Sequence, residues 1–185
     1  MELSKCKVCG YIMETGKIGD VCPACGVASK VFEPYKLTMS EDRYKILSLH
    51  IHPIILHFPQ AFVITATGML LLAFIFTGEL QAPIITVAKF NLLFLPLTVI
   101  MGAASGIKDG QLRFKKLSPP VLQFKIKLSI VFLVLSIITA LMAFLLPFNQ
   151  MNMIALFVLS AIQTVIAAVL GKTGSKLIDS FIPGK

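Results

Sequence analysis

Charge is scarce in this sequence. Only 14% of residues are charged and only nine are acidic, where ordinary soluble domains carry about 25% charge. No Ser-His-Asp arrangement, glycine-rich phosphate loop or carboxylate pair in a plausible cleft can be assembled, so the usual hydrolytic and phosphoryl-transfer chemistries find no footing. The opening residues lack an apolar h-region, so no cleavable leader is expected and the N-terminus is expected to stay in a reducing compartment. The sequence holds only three histidines and four cysteines, and both sets are confined to short segments.

What is abundant is apolar side chain, 56% of the whole. It is concentrated in four stretches, 51–76, 84–107, 121–146 and 151–170. A bilayer core about 30 Å thick takes about 20 apolar helical residues, so each stretch is long enough to cross. The connections at 78–83 and 147–150 carry no Lys or Arg. Lys36, Arg43 and Lys45 precede the first stretch. Lys108, Arg113, Lys115 and Lys116 lie between the second and third, Lys125 and Lys127 open the third, and Lys172, Lys176 and Lys185 follow the fourth. Basic connections stay cytoplasmic, so both termini are expected there, in a multi-pass protein of the cytoplasmic (inner) membrane. The net charge of +8 then serves topology and lipid contact, and nucleic acid is not expected as a partner. Short connections favour an antiparallel four-helix bundle. Gly102, Ala103, Ala104, Ser105 and Gly106 offer a small-residue surface for close helix approach, Pro96 should kink the second stretch, and Gln163 should make an interhelical hydrogen bond.

Residues 1–35 are too few to fold by burial alone, since domains below about 40 residues need a staple or a metal. Cys6-Lys7-Val8-Cys9-Gly10 and, twelve residues on, Cys22-Pro23-Ala24-Cys25-Gly26 supply two CxxC pairs. Together they can present four thiolates tetrahedrally, a set that suits iron or zinc. Glycine after each second cysteine permits the positive φ of a tight turn, and Pro23 stiffens the second loop.

With Tyr11, Val27 and Phe32-Glu33 added, this segment resembles rubredoxin. Its twelve-residue spacing is closest to the short rubredoxin-like module of rubrerythrins. The resemblance implies one iron cycling between ferric and ferrous on Cys6, Cys9, Cys22 and Cys25, one-electron transfer, and a soluble reductase or other redox protein as partner. Zinc is the alternative metal. The tryptophan of full rubredoxins is absent, which leaves Tyr11, Ile12, Val21 and Phe32 as the expected core.

The expected fold is therefore a small rubredoxin-like, metal-bound β-ribbon domain (1–35), a linker or interfacial helix (36–50), a four-helix transmembrane domain (51–171) and a cytoplasmic tail (172–185). Thr38 with Glu41 fits a capping box and Ser40 is the competing N-cap for the interfacial helix.

His50, His52 and His57 lie within eight residues. Histidines at membrane depth are functional candidates, here for a quinone or proton-linked site or for metal or haem, beside the leading reading of structural or interfacial histidines. On one continuous helix His50 and His57 share a face about 10.5 Å apart, and no pair stands at i, i+4. A six-coordinate haem would need Met69, Met101, Met142 or a second copy of the chain. His52-Pro53 with His57-Phe58-Pro59 resembles the opening of a family of small bacterial and archaeal membrane proteins with four predicted helices and uncharacterised activity. Some members have a further histidine near the third helix, where this chain reads Gln123-Phe124-Lys125-Ile126-Lys127. Two functions emerge. One is a membrane-anchored electron carrier. The other is a structural zinc-ribbon arm that docks a partner or senses redox state or metal.

Overall fold

The computed structural model describes residues 2–179. They fall into two compact units, the first reaching Leu49 and the second spanning His50–Lys176. Of the expected tail, 180–185, with Lys185, lie outside the described residues, and the side chain of Lys176 is likewise not described.

The first unit is built on a three-stranded antiparallel sheet. Strands β1 (Leu3–Cys6), β2 (Ile12–Glu14) and β3 (Phe32–Tyr35) lie in the order β2-β1-β3. Register pairs Lys5 with Ile12 on one side and Cys6 with Phe32 on the other. Pro34 is tolerated because β3 is an edge strand, where a missing N–H leaves no ladder bond unmade. The expected core is only partly right. Tyr11 and Val21 are 42% and 53% exposed, while Leu3, Cys6 and Cys22 are buried. With so short a chain, burial goes to the central strand and to the first cysteine of each CxxC pair instead of the aromatic side chains. Ser4, also buried, satisfies its hydroxyl on Thr15 Oγ1 at 2.9 Å.

Helix α1 (Glu41–Ser48) closes this unit. Ser40 occupies its N-cap with extended backbone but makes no side-chain cap bond. The capping box on Thr38 is therefore not formed. Glu41 and Asp42 in the first turn favour the helix through its dipole.

The second unit contains α2 (Ile51–Ile75), α3 (Gln81–Phe114), α4 (Pro120–Leu145) and most of α5 (Gln150–Asp179). Four helical segments, Glu41–Ile75, Gly78–Phe114, Pro120–Leu145 and Gln150–Ser175, are long and apolar enough to cross a membrane. Two helices outrun their apolar stretches. α3 continues past Ile107 to Phe114, so Lys108 and Arg113 are helical and only Lys115 and Lys116 of that basic group lie in the connection. The Asp109–Arg113 pair, 2.7 Å apart at i, i+4, supports this extra segment. α5 likewise runs on through Asp179.

Connections are tight because side chains finish the helix ends. Gln81 Nε2 donates to the Ala73 carbonyl at 3.0 Å at the end of α2, and Asn149 Oδ1 accepts from the Asn152 N–H at 2.9 Å at the start of α5. One core cluster joins Ala66, Leu70, Ala88, Leu92, Ala143 and Leu156, so all four helices contribute. The interior also holds polar groups: Ser136, Thr139, Ser160 and Gln163 are fully buried, while Phe58, Phe90, Ile130, Leu141 and Phe144 are exposed. A mainly apolar interior with a few buried polar groups, under an exterior rich in large apolar side chains, is in keeping with helices long and apolar enough to cross a membrane.

Candidate metal centre

Two loops of the same design hold the cysteines. In the first, Cys6 N–H donates to Tyr11 O at 2.8 Å and Gly10 N–H donates to Cys6 O at 2.9 Å. In the second, Cys22 N–H donates to Val27 O and Gly26 N–H donates to Cys22 O, both at 2.8 Å. Gly10 and Gly26 adopt φ of 79° and 74°, the left-handed turn that glycine adopts without strain. These two N–H groups are spent on carbonyls and not on sulfur. The donors to sulfur are others: Ala24 and Cys25 N–H to Cys22, and Val27 N–H to Cys25.

The loops bring the four Sγ atoms within 4.8 Å of one another. Cys6 and Cys25 are 3.9 Å apart, and Cys9 and Cys22 are 3.8 Å apart. A disulfide requires about 2.05 Å, so these are free thiols. A tetrahedral ion with metal–sulfur bonds of about 2.3 Å spans sulfur–sulfur edges of about 3.8 Å. The donor set and its spacing thus fit one tetrahedral metal. Cys6 and Cys22 are buried, Cys9 half-buried and Cys25 exposed, so one edge of the site faces outward.

Electrostatics within the quartet favour metal over protons. Burial pushes the Cys22 thiol up, but its two backbone donors and the Cys25 and Cys9 thiols outweigh that and bring it down to about 7. The Val27 N–H lowers Cys25, yet desolvation and the three neighbouring thiols drive it up to about 12. Four thiolates cannot share so small a space unless a cation neutralises them.

The histidines are not gathered in the same way. His50 is exposed and lies before α2, with φ of 51°. It therefore leaves the helical face that continuous winding would share with His57. His57 is exposed and its Nδ1 donates to the Pro53 carbonyl at 2.8 Å, one turn back on its own helix. His52 alone crosses to another helix, with Nδ1 3.0 Å from Ser105 Oγ on α3. Among the described residues, the four cysteines are the only cluster of three or more ligand-type side chains able to hold one ion.

The small-residue surface of α3 explains where His52 goes. A Cβ at Gly106 would lie 2.8 Å from its Cε1, and one at Gly102 would lie 3.2 Å from Leu56 Cδ2. Both glycines make room for α2. Gln163 makes its interhelical bond, Nε2 donating to Thr139 Oγ1 at 3.2 Å, while its Oε1 has no partner.

Comparison with known proteins agrees with the centre. Residues 5–33 match the family model described as rubrerythrin, rubredoxin-like domain. No curated protein and no solved structure matches the chain. Residues 5–33 thus form a rubredoxin-like domain of the rubrerythrin type, with four cysteines poised for a metal, ahead of four helices able to span a membrane.

Proposed function

We propose that this protein is a membrane-anchored one-electron carrier whose Cys6, Cys9, Cys22 and Cys25 hold a single iron on the cytoplasmic side. The observation that carries this reading is the four-sulfur cradle, all within 4.8 Å, inside a domain of the rubredoxin-like family. Bound iron supplies a ferric–ferrous couple. The chain's own residues do the rest. Both loops are closed by their own backbone bonds, so the thiolates hold one geometry through a change of charge. N–H groups of Ala24, Cys25 and Val27 aimed at sulfur stabilise the more negative state and set the potential. Exposed Cys25, with Val8 63% exposed between the first two cysteines, offers an edge at which a soluble redox protein docks.

The basic ends of the helices support a cytoplasmic position for both termini. Gly78–Leu80 and 147–150 carry no Lys or Arg, whereas Lys108, Arg113, Lys115 and Lys116 crowd the α3–α4 end.

Protein purified from iron-replete cells is expected to be red, with about one iron per chain and an optical band that bleaches on reduction. A colourless, zinc-filled and redox-silent protein from the same cells refutes the carrier and leaves the zinc-ribbon arm in its place.

A further inference from the structure

A second site lies inside the helical unit. Where α2, α3, α4 and α5 meet, they enclose a half-open cavity of about 210 Å³. Its walls are mainly apolar, Leu56 and Phe132 among them, and its polar side chains are His52, Gln60, Lys125 and Ser129. Three glycines seat three of these. A Cβ at Gly106 would strike the His52 ring, one at Gly171 would lie 3.1 Å from Gln60 Nε2, and one at Gly174 would lie 3.0 Å from Lys125 Nζ.

Hydrogen bonds assign the protons of His52. Ser105 Oγ spends its only proton on the Gly102 carbonyl at 2.9 Å. It must therefore accept from His52 Nδ1–H, and neutral His52 keeps a bare acceptor at Nε2. Among the described residues, Gln60 and Lys125 have no hydrogen-bond or ion-pair partner. The cavity thus combines one unused acceptor with two unused donors.

Size and polarity narrow the occupant. An apolar cavity of about 150 Å³ holds one benzene ring, and drug-sized ligands need about 300–1,000 Å³. About 210 Å³ therefore suits one substituted ring whose tail lies outside. A lipid phosphodiester brings acceptors only and leaves His52 Nε2 without a partner.

We propose that this cavity binds the ring of a lipid-soluble para-hydroquinone, one hydroxyl donating to His52 Nε2 and the opposite oxygen accepting from Lys125 and Gln60. The site deepens the electron-carrier reading by naming a membrane partner, but binding itself needs no iron. The test is titration of detergent-solubilised full chain with decyl-substituted benzoquinol, in iron-loaded and zinc-loaded forms. One saturable site per chain is expected in both, weakened about tenfold in His52→Leu and in Lys125→Met. Affinity unchanged in both variants, or no saturable binding to the unaltered protein, overturns the proposal. So does a site that dimyristoylphosphatidylglycerol fills and the quinol does not. Photolabelling of the unaltered chain with an azido-benzoquinone avoids any doubt about variant folding. Label on peptides containing 52–60, 99–107, 122–133 or 167–171, the four walls of the cavity, supports the site, and label elsewhere overturns it. Quinol binding by zinc-loaded protein that never takes iron would end the electron-carrier reading alone. Iron-loaded protein that ignores quinol would end this one alone.

Discussion

A glycine after each second cysteine closes the turn that aims two sulfurs at one point. At Gly26 a Cβ would meet nothing within 4 Å, so the constraint there is the φ of 74° alone. Gly26→Ala is therefore expected to destabilise the metal-bound domain by about 1–2 kcal/mol, and Gly26→Asn by less, because asparagine visits the left-handed region readily. Thermal unfolding of the loaded protein measures both. The cysteines themselves admit no such gradation. Cys22→Ser is expected to lower bound metal from about one per chain to a small fraction, since the hydroxyl does not ionise at neutral pH. Metal analysis after desalting decides it. Protons oppose loading at the same atoms. With Cys22 lowered to about 7 and Cys25 raised to about 12 before metal enters, binding must release protons. Affinity is therefore expected to fall as pH falls, most steeply below about 7, where Cys22 too becomes protonated. Competition with a chromophoric chelator across pH 5.5–8.5 reads this directly, and a pH-independent affinity would contradict the four-thiolate site.

At the scale of elements, the helices pack through small residues and a few polar contacts. Gln163 is fully buried, donates once and leaves Oε1 unpartnered. An unmet acceptor offsets what the bond to Thr139 contributes, and interhelical polar contacts in membranes average about 0.6 kcal/mol. Gln163→Leu is thus expected to be neutral or stabilising within about 1 kcal/mol, whereas Gln163→Ala should destabilise by more because it leaves a void. Unfolding in mixed micelles compares the two, and a large loss for Leu would show that Gln163 does more than pack. The extension of α3 past Ile107 belongs to the same scale. Hydropathy alone ends that helix where the apolar stretch ends. Backbone bonding continues until Lys115, which leaves the helix at φ of 59°, because Asp109–Arg113 and the packing of Gly110 against Leu122 support another two turns.

For the whole molecule, the arrangement to be tested is the side of the membrane on which the metal domain lies. A membrane-impermeant maleimide is expected to leave metal-depleted cysteines unlabelled in intact spheroplasts and to label them in inverted vesicles. Labelling in spheroplasts would reverse the proposed topology.

Residues close in the sequence declare themselves early. The paired CxxCG loops, the two glycine turns, the four apolar stretches and their basic ends were all legible, because each depends on spacing along the chain or on composition over one helix length. Contacts across the bundle were legible only in kind: Gly102–Gly106 announced a close approach and Gln163 an interhelical bond, but neither named its partner. The histidines form one cluster in the sequence, yet His50 leaves the helix, His57 turns back on Pro53, and only His52 reaches a second helix. Likewise Gln60 and Lys125, 65 positions apart, gave no sign of sharing a cavity with it.

The metal ligands and the four apolar helices were thus determined by the sequence by itself, since a ligand set and a hydrophobic length are local properties. Which side chains share the interior was decided by tertiary structure alone. That depends on how helices rotate and approach, and here Gly106 leaves the space that the His52 ring takes, while Gly102, Gly171 and Gly174 lie close beside the side-chain ends of Leu56, Gln60 and Lys125.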